Sequence, residues 1–81
     1  MYYVYLLKSV KNGEIYIGST PNLRARFLSH NKGKNFATKD LVPWKLFYYE
    51  AYSLKQFALI REKQLKRYGK GLAMLKKRIG L

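Results

Sequence analysis

Tyr2-Tyr3-Val4-Tyr5-Leu6-Leu7-Lys8 opens the chain, and Asn12-Gly13 separates this run from Glu14-Ile15-Tyr16-Ile17-Gly18. Aromatic, β-branched and aliphatic side chains without a turn former make residues 2–8 a strand buried over most of both faces. Asn-Gly between two apolar runs is the strongest short hairpin signal, because both residues take positive φ readily. The second strand is therefore expected over residues 14–18, antiparallel to the first. Thr20-Pro21 then reads as a helix N-cap followed by a proline at the first helical position, where the missing N–H costs nothing. A helix is predicted from Pro21 to about His30.

Residues 31–43 carry Gly33, two Asn and three Lys without periodicity, the pattern of an exposed basic loop, and loops of that length are often functional. The aromatic-rich run from Trp44 to Tyr52 predicts a third strand, either central or flanked by helices. Ser53-Leu54-Lys55-Gln56 matches a capping box, which starts a second helix. That helix is expected to end near Tyr68 with Gly69 as its left-handed cap. Residues 71–78 predict a short third helix, with Leu72, Leu75 and Ile79 on one stripe. The order β-β-α-β-α-α describes an α+β fold, a three-stranded antiparallel sheet flanked by helices in a sandwich-like arrangement. Residues 1–81 form a single domain, since no repeat, linker or composition shift divides them.

The whole composition narrows the function. With 17 Lys+Arg against 4 Asp+Glu, the 81 residues carry a formal charge of +13. A domain of this size buries only about 60–65% of its unfolded surface. There is no Cys, so neither a disulfide nor a Cys-based zinc site staples the core, and the apolar 48% of residues must hold it. No apolar run approaches the roughly 18 residues of a membrane span, and the opening residues lack the basic lead and cleavage site of a secretory signal. A cytoplasmic location is expected. The charge attracts polyanions. The bases are spread from Lys8 to Arg78 rather than gathered on one amphipathic helix, which favours nucleic acid over an anionic membrane.

Three groups of residues have chemical potential. Arg26 and His30 stand i, i+4 on the first helix, beside the apolar pair Leu23 and Phe27, so they point along the surface or into a cleft. The plainer alternative is an exposed Arg and a His that caps the helix end as a cation. Glu62 is the single acid among nine bases between Lys55 and Arg78. It lies at the edge of a stripe formed by Leu54, Ala58 and Leu65. A carboxylate among cations keeps its charge to low pH and suits Mg²⁺ or Mn²⁺, while the plainer alternative is an i, i+4 ion pair with Lys66. Of the eight tyrosines, Tyr2, Tyr48, Tyr49 and Tyr52 read as core or rim packing, and Tyr3 and Tyr5 share one face of strand one. Tyr16 lies two residues before the expected end of strand two. A positive environment beside a helix N-terminus would lower its pKa and make it a candidate general base.

Taken together, Tyr3-Val4-Tyr5, Tyr16-Ile17-Gly18, Arg26, His30 and Glu62 resemble the GIY-YIG endonuclease superfamily, above all its small stand-alone bacterial members. The chain is also similar to the nuclease domain of excision-repair enzymes, which makes DNA repair one expected context. The resemblance runs from Tyr3 to about Tyr68. It implies that Tyr16 acts as or beside the general base and that Tyr5 positions phosphate and water. It further implies that Arg26 stabilises charge on the scissile phosphate, that His30 fills a position held by His or Tyr, and that Glu62 holds a single Mg²⁺ or Mn²⁺. Tyr3 stands where the first motif has Gly, and Ser19 where some repair nucleases carry Lys. Gly18 is expected to admit the close approach of the first helix or of a phosphate, although a simple strand-ending glycine would read the same.

These implications lead to a metal-dependent DNA endonuclease. Lys32, Lys34 and Lys39 in the loop, with Lys63, Lys66 and Arg67 on the second helix, would track the nucleic-acid backbone. The alternative is a non-catalytic nucleic-acid-binding module on the same fold. Trp44 and the tyrosines around it would offer a dimer face if strand three is an edge.

Overall fold

The computed structural model describes residues 1–67 and 70–81. Its elements are β1 (Tyr2–Ser9), β2 (Ile15–Thr20), α1 (Leu23–Asn31), a 3₁₀ turn (Lys39–Leu41), β3 (Trp44–Tyr52), α2 (Lys55–Lys66) and α3 (Lys70–Ile79). The expected order holds. The sheet runs β2-β1-β3 with both pairings antiparallel, which makes β1 the central strand. Its residues Val4 to Leu7 are therefore all buried, as a strand covered on both faces requires. Val4 and Leu6 face α2 and α3, where they pack with Ile17, Ala58, Leu65 and Leu75. Tyr5 and Leu7 face the opposite way, against Trp44, Tyr16, Leu23 and Phe27. Two small cores thus share one strand. Truncating Leu6 or Leu65 to Ala would cost about 2–5 kcal/mol, a large part of the ~5–15 kcal/mol that holds a domain together.

A half-buried polar lock joins β3 to α2. Arg61 donates through Nε and Nη2 to both oxygens of Glu50 at 2.9 and 3.0 Å, and the hydroxyls of Tyr48 and Tyr52 donate to the same carboxylate at 2.7 and 2.6 Å. Burial pushes the Glu50 carboxyl up, but the hydrogen bonds from Arg61, Tyr52 and Tyr48 outweigh it and leave Glu50 below its ordinary value. The Tyr52 phenol is pushed up to about 12, by burial first and by Glu50 second.

The connections depart from expectation in three places. In the β1–β2 hairpin only Gly13 has positive φ, at +79°. Asn12 instead accepts from the Glu14 N–H through Oδ1 at 3.0 Å, and the Ser9 N–H donates to the Glu14 carbonyl, so a longer loop replaces the two-residue turn. Strand β2 continues to Thr20, and α1 begins at Leu23 with Asn22 as N-cap, its Oδ1 accepting from Ala25 N at 3.1 Å. Asn is the stronger cap, while β-branched Thr suits the strand end, where its Oγ1 accepts from Asn22 N. Ser53 makes no capping box: Leu54 holds the cap position without a side-chain bond, and Ser53 falls one residue outside it. Leu54 is correspondingly exposed and is not part of the α2 stripe, whereas Ala58 and Leu65 are. Helix α2 ends at Lys66 with Arg67 extended after it; the expected end at Tyr68 and the Gly69 cap lie outside the described residues.

Strand β3 is an edge, with α1 on one face and α2 on the other, so flanking by helices is the alternative that holds. The basic loop is not free throughout. Thr38 is buried, and the Trp44 indole N–H donates to its carbonyl at 3.0 Å. The Asn31 side chain spans the backbone N–H and carbonyl of Trp44 at 2.6 and 3.0 Å. Trp44 is therefore interior and offers no dimer face. Helix α3 buries Leu75 and packs Leu72 and Ile79, as its periodicity predicts. Among the described residues no helix is long and apolar enough to cross a membrane.

Candidate active site

The floor of the site is a chain of hydrogen bonds through His30. Tyr5 Oη lies 2.9 Å from His30 Nε2, and His30 Nδ1 lies 2.7 Å from Thr38 Oγ1. Since the Thr38 hydroxyl donates to the Asn35 carbonyl, it accepts from Nδ1–H, and Nε2 is then free to accept the Tyr5 proton. This direction leaves Tyr5 Oη an acceptor, a role it already fills toward Arg26. His30 has no solvent exposure. Burial, assisted by the Arg26 charge, holds its pKa below the ordinary value, and burial pushes Tyr5 up to about 12 despite the opposing pull of Arg26. Both groups are neutral at pH 7. His30 is thus neither a surface group nor a cationic cap; the α1 face that carries Leu23 and Phe27 also turns it inward.

Tyr16 sits at the side of this floor, half-buried, with its ring edge-on to His30 at 4.9 Å and to Trp44 at 6.3 Å. Because β2 runs to Thr20, Tyr16 is in the middle of the strand rather than near its end. Gly18 admits a close approach of neighbouring side chains. A Cβ there would lie 2.5 Å from Tyr5 Oη, 2.7 Å from Tyr5 Cζ and 3.1 Å from Tyr16 Cε2. The absent side chain makes room for the two phenols, whose atoms rather than those of α1 lie nearest.

Arg26 stands one turn before His30 on α1 and is exposed, yet near enough to Tyr5 to lower its pKa by charge and hydrogen bonding. A cation therefore lies at the mouth of a neutral floor. Glu62 approaches from the other face of the sheet. Ser19, which points away from Tyr16 and Gly18 by the alternation of β2, donates to Glu62 Oε1 at 2.6 Å. Lys66 Nζ lies 2.7 Å from Oε2, so the i, i+4 ion pair is formed. Burial raises the Glu62 pKa, but Lys66 and Ser19 together bring it below the ordinary carboxylate range. The five residues thus stand on the two faces of the sheet, with Tyr5, Tyr16, Arg26 and His30 on one side and Glu62 on the other. Ser19 and Thr38 complete the site as hydrogen-bond partners that local sequence pattern does not reveal.

Among the described residues no three His, Asp or Glu side chains gather as a metal cage. A hard cation that keeps several waters needs only one or two carboxylates together with substrate phosphate oxygens. Glu62 matches that donor set, since its Lys66 partner is half-exposed and can swing away. Lys66 and Arg67 line a groove with Tyr16, whereas Lys63 is exposed elsewhere on α2. Lys32, Lys34 and Lys39 are exposed beyond the end of α1, with Lys39 Nζ 4.8 Å above the Phe36 ring.

The family model of the GIY-YIG catalytic domain matches residues 1–73. A UPF0213 protein of Staphylococcus haemolyticus is 39% identical over 70 residues, covering 85% of this chain and 84% of its own. A UPF0213 protein of Staphylococcus epidermidis is 38% identical over 68 residues, covering 83% and 82%. One from Staphylococcus aureus is 36% identical over 80 residues, covering 95% and 96%. No solved structure matches the chain. With the family match running from β1 into α3, and these relatives aligned over most of both chains, the chain belongs to the GIY-YIG family.

Proposed function

We propose that the domain hydrolyses phosphodiester bonds in nucleic acid, with DNA as its substrate and Mg²⁺ or Mn²⁺ as its cofactor. The observation that carries this reading is the neutral Tyr5–His30 pair under an exposed Arg26, beside the half-open Tyr16 ring. In this reading Tyr16 accepts a hydrogen bond from the attacking water and takes or relays its proton. Tyr5, its own proton held by His30, offers a second acceptor that orients the same water. Arg26 neutralises the charge that develops on the phosphate oxygens. Glu62 would hold the cation, which when bound supplies charge stabilisation to the departing oxygen. His30 and Thr38 are positioning residues, because they are buried behind Tyr5.

The test is cleavage of supercoiled plasmid and of branched DNA in Mg²⁺ or Mn²⁺ by wild type, Arg26→Ala and Glu62→Ala. Each variant is expected to cut about 10²–10³-fold more slowly, the usual effect of removing one preorganised charge partner, with DNA affinity within a few-fold of wild type. One observation favours a second reading, a nucleic-acid-binding module without turnover: both Glu62 oxygens already have partners in Ser19 and Lys66. Absence of cleavage by all three proteins, with binding retained, would establish that reading instead.

A further inference from the structure

A second cavity is separate from this site. It is a groove of about 540 Å³ between α1 and the free edge of β3, lined by Tyr3, Leu23, Arg24, Phe27, Leu46 and Tyr49 among others. That volume lies within the ~300–1,000 Å³ typical of small-ligand sites. Tyr49 is 53% exposed, so it is not the packing residue that its strand position suggests. Tyr3 meets it edge-on, with ring centroids 6.0 Å apart. At roughly 100° per residue, Arg24 and Arg26 project from opposite flanks of α1, one beside the groove and the other toward Tyr5. The helix therefore stands as a ridge between an aromatic cleft and the phosphate-directed site.

We infer that this groove binds an unpaired nucleobase of the strand on which the site acts, so that the domain prefers single-stranded to fully paired nucleic acid. This rests on the nucleic-acid reading above. An exposed Tyr49 ring backed by the partly buried Tyr3, beside an arginine, is what a base and its phosphate require: every base has a face to stack, and the guanidinium meets the backbone. A second copy of the chain suits the groove less well. Two domains of charge +13 repel one another. The β3 edge is also interrupted by a bulge near Phe47, and Lys8 lies 5.4 Å from that ring, features that discourage strand pairing.

The experiment is fluorescence anisotropy at fixed salt with two labelled single strands of equal length and charge. One is a mixed sequence without self-complementarity, and the other carries abasic sites in its middle. Wild type is expected to bind the base-bearing strand about 5- to 150-fold more tightly. Tyr49→Ala should abolish that preference while affinity for the abasic strand stays the same, and Tyr49→Phe should keep it. Tyr49 is exposed on an edge strand, and a thermal melt confirms that each variant is folded. Equal binding of both strands by wild type would overturn the inference and leave the nuclease reading standing, whereas failure to bind either strand would remove the nucleic-acid reading itself. Weaker binding of both strands by Tyr49→Ala, or conversion of a dimer to monomers in sedimentation, would also overturn it, making the face a backbone contact or a contact between copies.

Discussion

A histidine without solvent exposure stays in place only while neutral, and His30 shows that condition in its depressed pKa. The sign of its pH effect follows. Above about pH 6.5 both folded and unfolded chains carry His30 uncharged, and its contribution to stability is fully present. As pH falls below that value the unfolded chain takes up a proton that the folded one refuses, so stability drops by up to ~1.4 kcal/mol per pH unit until the lower folded pKa is passed. Glu50 and Glu62 have depressed values too, but their contributions are lost only as pH falls below 4.5, outside this window. Urea midpoints between pH 7.5 and 5 should therefore decline for wild type and stay level for His30→Gln, whose absolute stability is lower. A level profile for wild type would mean that the ring is solvated and the Tyr5–His30–Thr38 chain is not formed.

At the scale of elements, one bulge decides which face β3 shows to each helix. Leu6 pairs with Tyr48 and Leu7 with Leu46, which leaves Phe47 as the extra residue. Strict alternation would put Trp44, Leu46, Tyr48, Glu50 and Tyr52 on one face. With Phe47 inserted, Trp44 and Leu46 face α1, while Tyr48 and Tyr52 join the α2 core and Glu50 meets Arg61. Deleting Phe47 should close the bulge and make Leu46 and Tyr48 neighbours on opposite faces, so that Tyr48 and Tyr52 stay with α2 and Glu50 with Arg61, at a cost of about 1–3 kcal/mol rather than loss of the fold. Phe47→Ala, at an exposed site, should cost about 1 kcal/mol or less, read from urea midpoints. A deletion variant that does not fold would refute this account of the register. The bulge also marks where sequence reading stops. β1 was legible because a central strand demands four successive apolar residues, and α3 because one stripe of Leu and Ile suffices. The bulge was not, because Leu46, Phe47 and Tyr48 are all apolar enough for either face. The cap at Asn22 lies two residues from the expected Thr20, within reach of competing local hydrogen bonds. In the site, Tyr5, Tyr16, Arg26 and Glu62 were nameable through a motif resemblance. The Thr38 and Ser19 partnerships depend on residues far apart in the chain, and no local pattern predicts them.

Over the whole molecule, charge is the dominant property, and its placement can be tested. A domain measuring 28 × 26 × 18 Å carries +13, while screening at physiological salt acts over about 8 Å, so separate basic clusters act independently on the phosphates nearest to them. One cluster, Lys32, Lys34 and Lys39, follows the end of α1; another, Lys63, Lys66 and Arg67, closes α2 beyond the opposite face of β2. Replacing the three loop lysines by Gln should reduce the slope of log affinity against log salt by up to ~0.9 for each phosphate no longer neutralised on duplex DNA, or ~0.7 on a single strand. The loop fold should survive, because its anchors are Thr38, Trp44 and Asn31 rather than the lysines. Titrations of one oligonucleotide at several salt concentrations read the slope directly. The variant should be much weaker than wild type at low salt, and the two should converge near 1 M, where screening shortens to about 3 Å. Parallel lines with an unchanged slope would place the loop outside the interface and leave the α2 cluster and Arg26 to hold the backbone.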